Sequence, residues 1–222
     1  MNTGTFPQIF KHAVINPVYK GKGSRSEPLS YRPISTLPFF AKLFEKNIAR
    51  RISEKVESHL SDNQHGFRSK RSCFTALTSL THKATLALDN KKRFVGATFV
   101  DLKRAFDFVE PDKLLDVLKT KYLLDANYIA LLYDYARDRS FTVLVNNDVS
   151  KPFHYNSICP QGSTLAPLLF SLYFDSIKDV LNIDYLLFAD DLVLFTDSQD
   201  LSLVIQLLTK NLCKLNKVSV RP

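Results

Sequence analysis

Three aspartates interrupt strand-forming sequence, and their carboxylates are the first candidates for chemistry in this chain. Asp190 and Asp191 are adjacent, with Tyr-Leu-Leu-Phe-Ala before them and Leu-Val-Leu-Phe after them, and Asp101 ends the aromatic and β-branched run 93–101. Neighbouring carboxylates raise each other's pKa unless a cation neutralises them, and Mg²⁺ is bound through carboxylate oxygen. For the 190–191 pair alone, an aspartate-rich turn without a ligand fits equally well.

The elements that would position these acids are short strands. The apolar flanks of the 190–191 pair predict two buried strands with both acids in the turn between them. Asp101 is predicted at the C-terminal end of a strand, before helical sequence, which is a frequent place for functional groups. Carboxylates gathered from separate strands are what two-metal phosphoryl transfer requires.

Length and composition restrict the class of protein. The 222 residues are 45% hydrophobic, so the chain can bury a substantial core as one large domain or two closely packed subdomains. The odd number of cysteines, three, and the absence of CxxC spacing favour a reducing compartment. No apolar run reaches the roughly 18 residues of a membrane span. We therefore expect a soluble, intracellular protein without a membrane segment.

The net charge of +8 is concentrated near the N-terminus. Residues 1–72 hold 13 Lys and Arg against 5 Asp and Glu, whereas residues 73–222 hold 17 of each. This asymmetry predicts contact between the first third of the chain and a polyanion, most simply a nucleic acid backbone. A basic surface that is only solvated would give the same count.

Hydrophobic periodicity predicts an alternation of helices and strands. In the first long helix, residues recurring every four positions from Phe40 through Phe44, Ile48 and Ile52 to Val56 are predicted to be core. The predicted helices are 38–60, 72–88, 112–122, 127–137, 168–181 and 201–215, and the predicted strands are 12–18, 93–101, 141–145, 149–155 and the two flanks of the 190–191 pair.

Three loops contain further candidates. Glycines alternate with lysines in the loop 19–25, a pattern that suits a phosphate but also an ordinary solvated loop. In the loop 160–167, Gly162 permits a close backbone approach and Ser163 can cap the following helix, although a plain loop-to-helix junction looks the same. His65 is predicted to be a surface histidine, because no second His or Cys stands at ligand spacing.

Six sequence blocks, in order, resemble the motifs of one enzyme family. Residues 99–107, 160–170 and 188–191 are similar to motifs A, B and C of reverse transcriptases. Residues 31–35, 42–45 and 64–68 are similar to the fingers motifs of the non-LTR (LINE-like) retrotransposon branch. The resemblance covers roughly residues 10 to 217. It implies an α+β fold of right-hand polymerase fingers and palm, with a small antiparallel sheet backed by helices and with the thumb absent; residues 1–92 would be mainly fingers and 93–222 mainly palm.

The resemblance also implies a metal site. Asp101 and Asp190 would bind two Mg²⁺ ions, for which Mn²⁺ is a possible substitute, and Asp191 would assist the ion on the primer side. Leu102 would complete this site through its backbone, facing the triphosphate.

Other residues would bind the nucleotide. Phe106 matches the steric gate of the family, whose ring excludes a ribose 2′-hydroxyl and so favours dNTPs over rNTPs. Gln161 and Gly162 would border the nucleotide and the template base. Arg32, together with Lys20 or Lys22, would neutralise the triphosphate.

One position departs from the family pattern. The motif D lysine is expected a few residues beyond an asparagine, but Ser219 stands at that place and Lys217 directly follows Asn216. Lys217 is therefore the candidate general acid for the pyrophosphate.

The resemblance implies an RNA-directed DNA polymerase that extends a DNA primer on an RNA template with dNTPs. The chain would be part of a longer polyprotein with a thumb, and with the endonuclease found in many such proteins, made in the cytoplasm and acting in the nucleus. One alternative is a truncated, catalytically inactive remnant that only binds nucleic acid. An RNA-dependent RNA polymerase shares the palm, but Phe106 argues against it, because that enzyme needs a polar residue at this position.

Overall fold

The chain forms two compact units that are each assembled from two separate stretches of sequence. The computed structural model describes residues 4–89, 93–101, 106, 109–160 and 162–219, with side chains to 216. One unit comprises Met1–His59 and Phe106–Tyr173, and the other comprises Leu60–Ala105 and Phe174–Pro222. Over the described residues, no helix combines the length and hydropathy needed to span a membrane.

The first unit contains a mixed sheet with strand order β2-β1-β4-β5, in which β6 pairs with β4. Strands β1 and β2 are antiparallel, and β1 and β4 run parallel. Pro33 favours an extended backbone in the residue before it, which is consistent with the place of Arg32 in β2. The strands are β1 (His12–Tyr19), β2 (Tyr31–Thr36), β4 (Arg139–Val145), β5 (Asp148–Val149) and β6 (Phe153–Tyr155).

Strands β4 and β5 are joined by the turn Asn146-Asn147. Both residues have positive φ, 49° and 72°, as the two-residue type I′ hairpin turn requires. Asparagine tolerates this conformation better than most residues. The predicted strands 141–145 and 149–155 thus form a hairpin, but Asp148 belongs to β5, and the second predicted strand is divided into β5 and β6.

The first unit also contains α1 (Phe39–Val56), α3 (Pro111–Thr120), α4 (Ala126–Ala136) and α5 (Ala166–Phe174). Helix α1 corrects one prediction: Ile48, Ile52 and Val56 are buried, but Phe40 is 67% exposed. A row of residues spaced by four drifts about 40° around a helix at each step, so its first member has left the buried face. That face continues instead through Ala41 and Glu45.

Helix α5 is shorter than the predicted 168–181. It ends at Phe174 and tightens into a 3-10 turn over Asp175–Asp179. The carboxylate of Asp175 is fully buried, where it accepts a hydrogen bond from the Ser61 backbone N–H at 2.8 Å and pairs with Lys178 at 2.6 Å. These contacts hold Asp175 in the tighter turn.

The second unit is a three-stranded antiparallel sheet with order β3-β8-β7. Helix α6 covers one face, where its Leu208 and Leu212 pack with Val100, Leu187 and Leu192. Because side chains alternate along a strand, the residues next to these in sequence lie on the opposite face. The elements are α2 (Cys73–Asp89), β3 (Phe94–Asp101), β7 (Asp184–Phe188), β8 (Asp191–Ser198) and α6 (Leu201–Ser219).

Candidate active site

The turn between β7 and β8 carries Asp190. Phe188 and Asp191 form the closing pair of the hairpin, so the two turn residues are Ala189 and Asp190. The sequence predicts both acids in the turn, and this is wrong for Asp191, which is the first residue of β8. Ala189 has φ 56°, a left-handed conformation that is uncommon for a residue other than glycine. Such strain is concentrated at functional sites in proteins.

Asp101 and Asp191 are direct neighbours across the sheet. They are opposite each other in the antiparallel register of β3 and β8, so their side chains leave the same face of the sheet. That face is the one opposite α6, because Val100 and Leu192 point toward the helix. The structure thus brings Asp101 and Asp191 together and places Asp190 in the adjoining turn.

This arrangement of acids suits a divalent cation. Among the ion pairs between described residues, none includes Asp101, Asp190 or Asp191. Within the described part of the chain, no group of three or more His, Cys, Asp or Glu side chains stands together as a metal cage. Mg²⁺ usually binds through one or two carboxylates together with substrate phosphates. The opposed pair Asp101 and Asp191 has that donor chemistry.

A loop before α2 supports the β7–β8 turn from one side. The His65 backbone N–H donates to the Leu187 carbonyl at 2.7 Å, and the Leu187 N–H donates to the Asn63 carbonyl at 2.9 Å. Gln64 is fully buried, and its Oε1 accepts the Gly66 N–H at 3.0 Å. The loop is therefore fixed against β7, one residue before Phe188.

Gly66 in this loop touches the turn itself. A Cβ at this position would lie 2.2 Å from the Ala189 nitrogen and 2.9 Å from the Ala189 Cα. Only a glycine allows the two backbones to approach so closely. The sequence contains Gly66 in a family-like block, but no local pattern indicates that it faces the Asp190 turn.

His65 is buried, which corrects its prediction as a surface histidine. Its Nδ1 lies 2.9 Å from the Thr75 Oγ1. The Thr75 hydroxyl donates its one proton to the Ser72 carbonyl at 2.8 Å, so Nδ1 of His65 must be the donor to Thr75. Burial lowers the pKa of His65, and the positive charges of Arg71 and Arg68 lower it further. His65 thus serves as a neutral hydrogen-bonding group beside the supporting loop.

A mainly apolar cavity of about 320 Å³ adjoins the acids in the same unit. Cys73 and Leu77 of α2 line one side, and Phe99, Asp101 and Asp191 line the side formed by the sheet. Phe99 remains 72% exposed on this face. The acids thus border an open apolar surface, a feature that the sequence does not reveal because α2 has no buried residue to mark its inner side.

In the first unit, Phe106 stacks on another aromatic ring. Its ring centroid lies 4.4 Å from that of Phe170 in α5, and the two planes are inclined by 16°. Stacking of aromatic rings stabilises a pair beyond its buried area. The position of the Phe106 side chain is therefore set by α5.

Gly162 lies against strand β2. It has φ 90°, and an added Cβ would lie 2.2 Å from the carbonyl oxygen of Ser35. The next residue, Ser163, accepts the N–H groups of Leu165 and Ala166 with its Oγ, both at 3.0 Å. The predicted close approach and helix cap are thus confirmed, while Gln161 lies outside the described residues.

The basic candidates lie near the β1–β2 hairpin. Lys20 donates its ammonium to the Leu29 carbonyl at 2.7 Å. Arg32 is exposed in β2 opposite Val18, and it enters none of the ion pairs between described residues. Arg32 is thus available to an anion, whereas Lys20 is partly engaged by the loop.

Two further candidates cannot be assigned contacts. Leu102 lies outside the described residues, and Lys217 is described only as part of the backbone of α6. The acids belong to the second unit, and Phe106, Gly162, Lys20 and Arg32 belong to the first.

Comparison with known proteins identifies the family. The family model described as reverse transcriptase (RNA-dependent DNA polymerase) matches residues 20–222. In Drosophila melanogaster, the probable RNA-directed DNA polymerase from transposon BS is 38% identical over 170 residues, which are 76% of this chain and 18% of the relative. The counterpart from transposon X-element is 36% identical over 170 residues, with the same shares. The RNA-directed DNA polymerase from mobile element jockey is 30% identical over 214 residues, 90% of this chain and 23% of the relative.

The chain therefore belongs to the reverse transcriptase family, and its relatives place it in the LINE-like, non-LTR branch. It spans roughly a fifth of the length of these relatives, 18 to 23%. Its mixed α+β architecture of small sheets and helices is compatible with a domain of this family, whose members generally use divalent metal ions.

Proposed function

We propose that this chain is the polymerising part of an RNA-directed DNA polymerase, which adds dNTPs to the 3′-hydroxyl of a DNA primer on an RNA template. The observation that carries the proposal is the register of the second unit: Asp101 stands directly opposite Asp191, and Asp190 occupies the adjoining turn. The reaction itself is proposed because the chain belongs to the reverse transcriptase family.

Asp101 and Asp190 would hold two Mg²⁺ ions, or Mn²⁺ in their place, and Asp191 would assist one of them. The backbone of Leu102 would complete the site. When bound, such ions lower the pKa of an attacking hydroxyl and stabilise the negative charge that develops on a leaving pyrophosphate. The strained Ala189 and the loop containing Gly66 keep Asp190 in place.

The first unit would bind and select the nucleotide. Phe106, braced by Phe170, excludes a ribose 2′-hydroxyl by its shape. Gly162 borders the nucleotide and the template base together with Gln161.

Basic residues would bind the triphosphate and its product. Arg32 neutralises the triphosphate with its exposed guanidinium, and Lys20 adds charge nearby. Lys217 is the candidate for protonating the pyrophosphate.

In polymerase terms, residues 1–92 would be mainly fingers and residues 93–222 mainly palm. A thumb and, as in many such proteins, an endonuclease would be contributed by other parts of the longer protein. The intact protein would be made in the cytoplasm and act in the nucleus.

A second candidate function is a nucleic-acid-binding module without polymerase activity. The excess of basic residues in positions 1–72 supports it, because binding a phosphate backbone needs this charge and none of the acids.

Primer extension separates the two functions. The purified chain is incubated with a primed RNA template, Mg²⁺ and dNTPs, beside an Asp190→Asn control. Extension by the unmodified chain alone supports the polymerase. Template binding by both proteins without extension supports the module.

A further inference from the structure

Glu45 is a fully buried carboxylate on the inner face of α1. Its neighbours on that face are apolar, among them Ala41 and Ile48. A carboxylate in such surroundings is costly unless hydrogen bonds compensate it. None of the ion pairs between described residues includes Glu45. In the described part of the chain, the cost of burying this carboxylate is therefore compensated by hydrogen bonds from neutral donors.

Among the described residues, those donors belong to the segment that follows Gly162. Oε2 of Glu45 accepts the Thr164 backbone N–H at 2.8 Å and the Ser163 hydroxyl at 2.8 Å. The Thr164 hydroxyl lies 3.3 Å from the same oxygen. Oε1 has no hydrogen-bond partner within the described part of the chain. One carboxylate oxygen thus accepts hydrogen bonds from two consecutive residues, Ser163 and Thr164.

The segment is held from two other directions as well. Since the Ser163 hydroxyl donates to Glu45, the Tyr135 hydroxyl must donate to Ser163 across their 2.8 Å separation. Gly162 is pressed against the Ser35 carbonyl. Burial, followed by the negative charge of Glu45, raises the pKa of Tyr135, so this hydroxyl keeps its proton and remains a donor.

We propose that Glu45 is a positioning residue for nucleotide binding: its buried carboxylate fixes Ser163 and Thr164 and thereby sets where the backbone of Gly162 meets the incoming dNTP. This rests on the proposed function, since it takes the Gly162 loop as the nucleotide border. A residue that only stabilised the fold would change the unfolding temperature without changing the affinity for dNTP.

Two substitutions of similar size separate these roles. In Glu45→Gln, the amide carbonyl can take the place of Oε2 and accept the same hydrogen bonds. In Glu45→Met, the shape is kept but the acceptor is lost, which leaves the Thr164 N–H without its partner. Ile52→Val, on the same buried face of α1, is the control for simple destabilisation.

The measurements are the KM for dNTP and kcat in primer extension, with thermal unfolding of each variant. We expect Glu45→Met to raise KM on the order of tenfold, because small displacements of a binding group are costly, and Glu45→Gln to stay within about threefold of the unmodified chain. Ile52→Val should lower the unfolding temperature without changing KM. An unchanged KM in folded Glu45→Met, or equal effects of Gln and Met, overturns the proposal.

If Glu45→Met does not fold, Ser163→Ala replaces it, because this variant removes one donor to Glu45 and leaves the carboxylate in place. It should raise KM in the same direction by a smaller factor. No change in KM with Ser163→Ala would then decide against the proposal.

Hydrogen exchange keeps this test separate from that of the polymerase activity. Addition of dNTP with Mn²⁺ should slow the amide exchange of residues 162–166 in the unmodified chain and in Glu45→Gln, but not in Glu45→Met. Protection without primer extension supports the positioning role while refuting polymerisation by this chain. Absence of protection in the unmodified chain, or equal protection in all three proteins, overturns the positioning role.

Discussion

Substituting alanine for Gly66 should displace the turn that carries Asp190. The added Cβ would lie 2.2 Å from the Ala189 nitrogen and 3.1 Å from the Phe188 carbonyl carbon. Ordinary contact begins at 3.4 Å, so the turn must retreat by about 1.2 Å, the difference between the two distances. A shift of about 1 Å at a reacting centre can cost about 100-fold in rate. We therefore expect extension by folded Gly66→Ala to fall about 100-fold.

Gly96→Ala is the matched control. Its Cβ would meet side-chain atoms of α6 and no backbone atom, with Val204 at 2.5 Å and Leu208 at 2.8 Å. Neither glycine has a positive φ, so neither substitution adds backbone strain. Overpacking of this kind typically costs about 1–3 kcal/mol. Gly96→Ala should thus lose stability while its rate of extension per folded molecule stays within about threefold.

The assay is single-turnover extension of a primed RNA template, normalised to the folded fraction from thermal unfolding. Titration of Mn²⁺ followed by electron paramagnetic resonance gives a second readout that does not depend on polymerisation. Gly66→Ala should weaken Mn²⁺ binding, and Gly96→Ala should not. If folded Gly66→Ala keeps both its rate and its Mn²⁺ affinity, the turn does not depend on this contact and the reasoning is refuted.

Three further changes test other parts of the site. Phe106→Val should reduce the preference for dNTPs over rNTPs, since a smaller side chain leaves room for a 2′-hydroxyl; unchanged selectivity in paired extension assays would remove the gate assignment. The depressed pKa of His65 gives stability that is complete above about pH 6.5 and is lost as the pH falls through its folded pKa. His65→Asn, which keeps a donor but does not titrate, should therefore lose less of its unfolding temperature between pH 7 and pH 5, and equal losses would contradict this. Replacing exposed Lys46 and Arg51 of α1 by Gln should lower the salt dependence of single-stranded RNA binding by about 1.4 in log–log slope. Lys55→Gln, whose ammonium is paired with Asp125, should change the slope less. An unchanged slope in the double variant would exclude Lys46 and Arg51 from contact with the RNA backbone.

The elements of the fold could be predicted where a local pattern determines them. The hairpin at Asn146-Asn147 and the cap at Ser163 depend on backbone chemistry that the residue type itself reveals. The exposure of Phe40 follows from helix geometry, because a row of residues spaced by four drifts around the helix. The burial of His65 could not be predicted in this way. It depends on which residues from distant parts of the chain cover the loop, and local sequence does not contain that information.

The residues of the candidate site also differ in whether the sequence alone identifies them. Asp190 and Asp191 can be identified from the sequence because adjacent acids in apolar sequence are unusual, and Asp101 because it ends a predicted strand. The register that sets Asp101 opposite Asp191 is visible only in the structure. Glu45 ends the family-like block 42–45, but its sequence context does not show that it is buried. It stands among the charged residues of an amphipathic helix, and only the tertiary structure shows that this one carboxylate points inward.

The supporting glycines give a physical meaning to two of the family-like blocks. Gly66 meets the Ala189 nitrogen in the second unit, and Gly162 meets the Ser35 carbonyl in the first. In both places the contact is between backbones, so any side chain would push the neighbouring segment away. Each segment also carries a residue assigned to the reaction: the turn carries Asp190, and strand β2 carries Arg32. A glycine of this kind determines the position of a functional group that it does not itself carry. It follows that alanine at Gly66 should impair chemistry more than stability, whereas alanine at Gly96, which touches only side chains, should do the reverse. Alanine at Gly162 should impair nucleotide binding and also lower stability, because φ 90° is strained for a residue with a side chain.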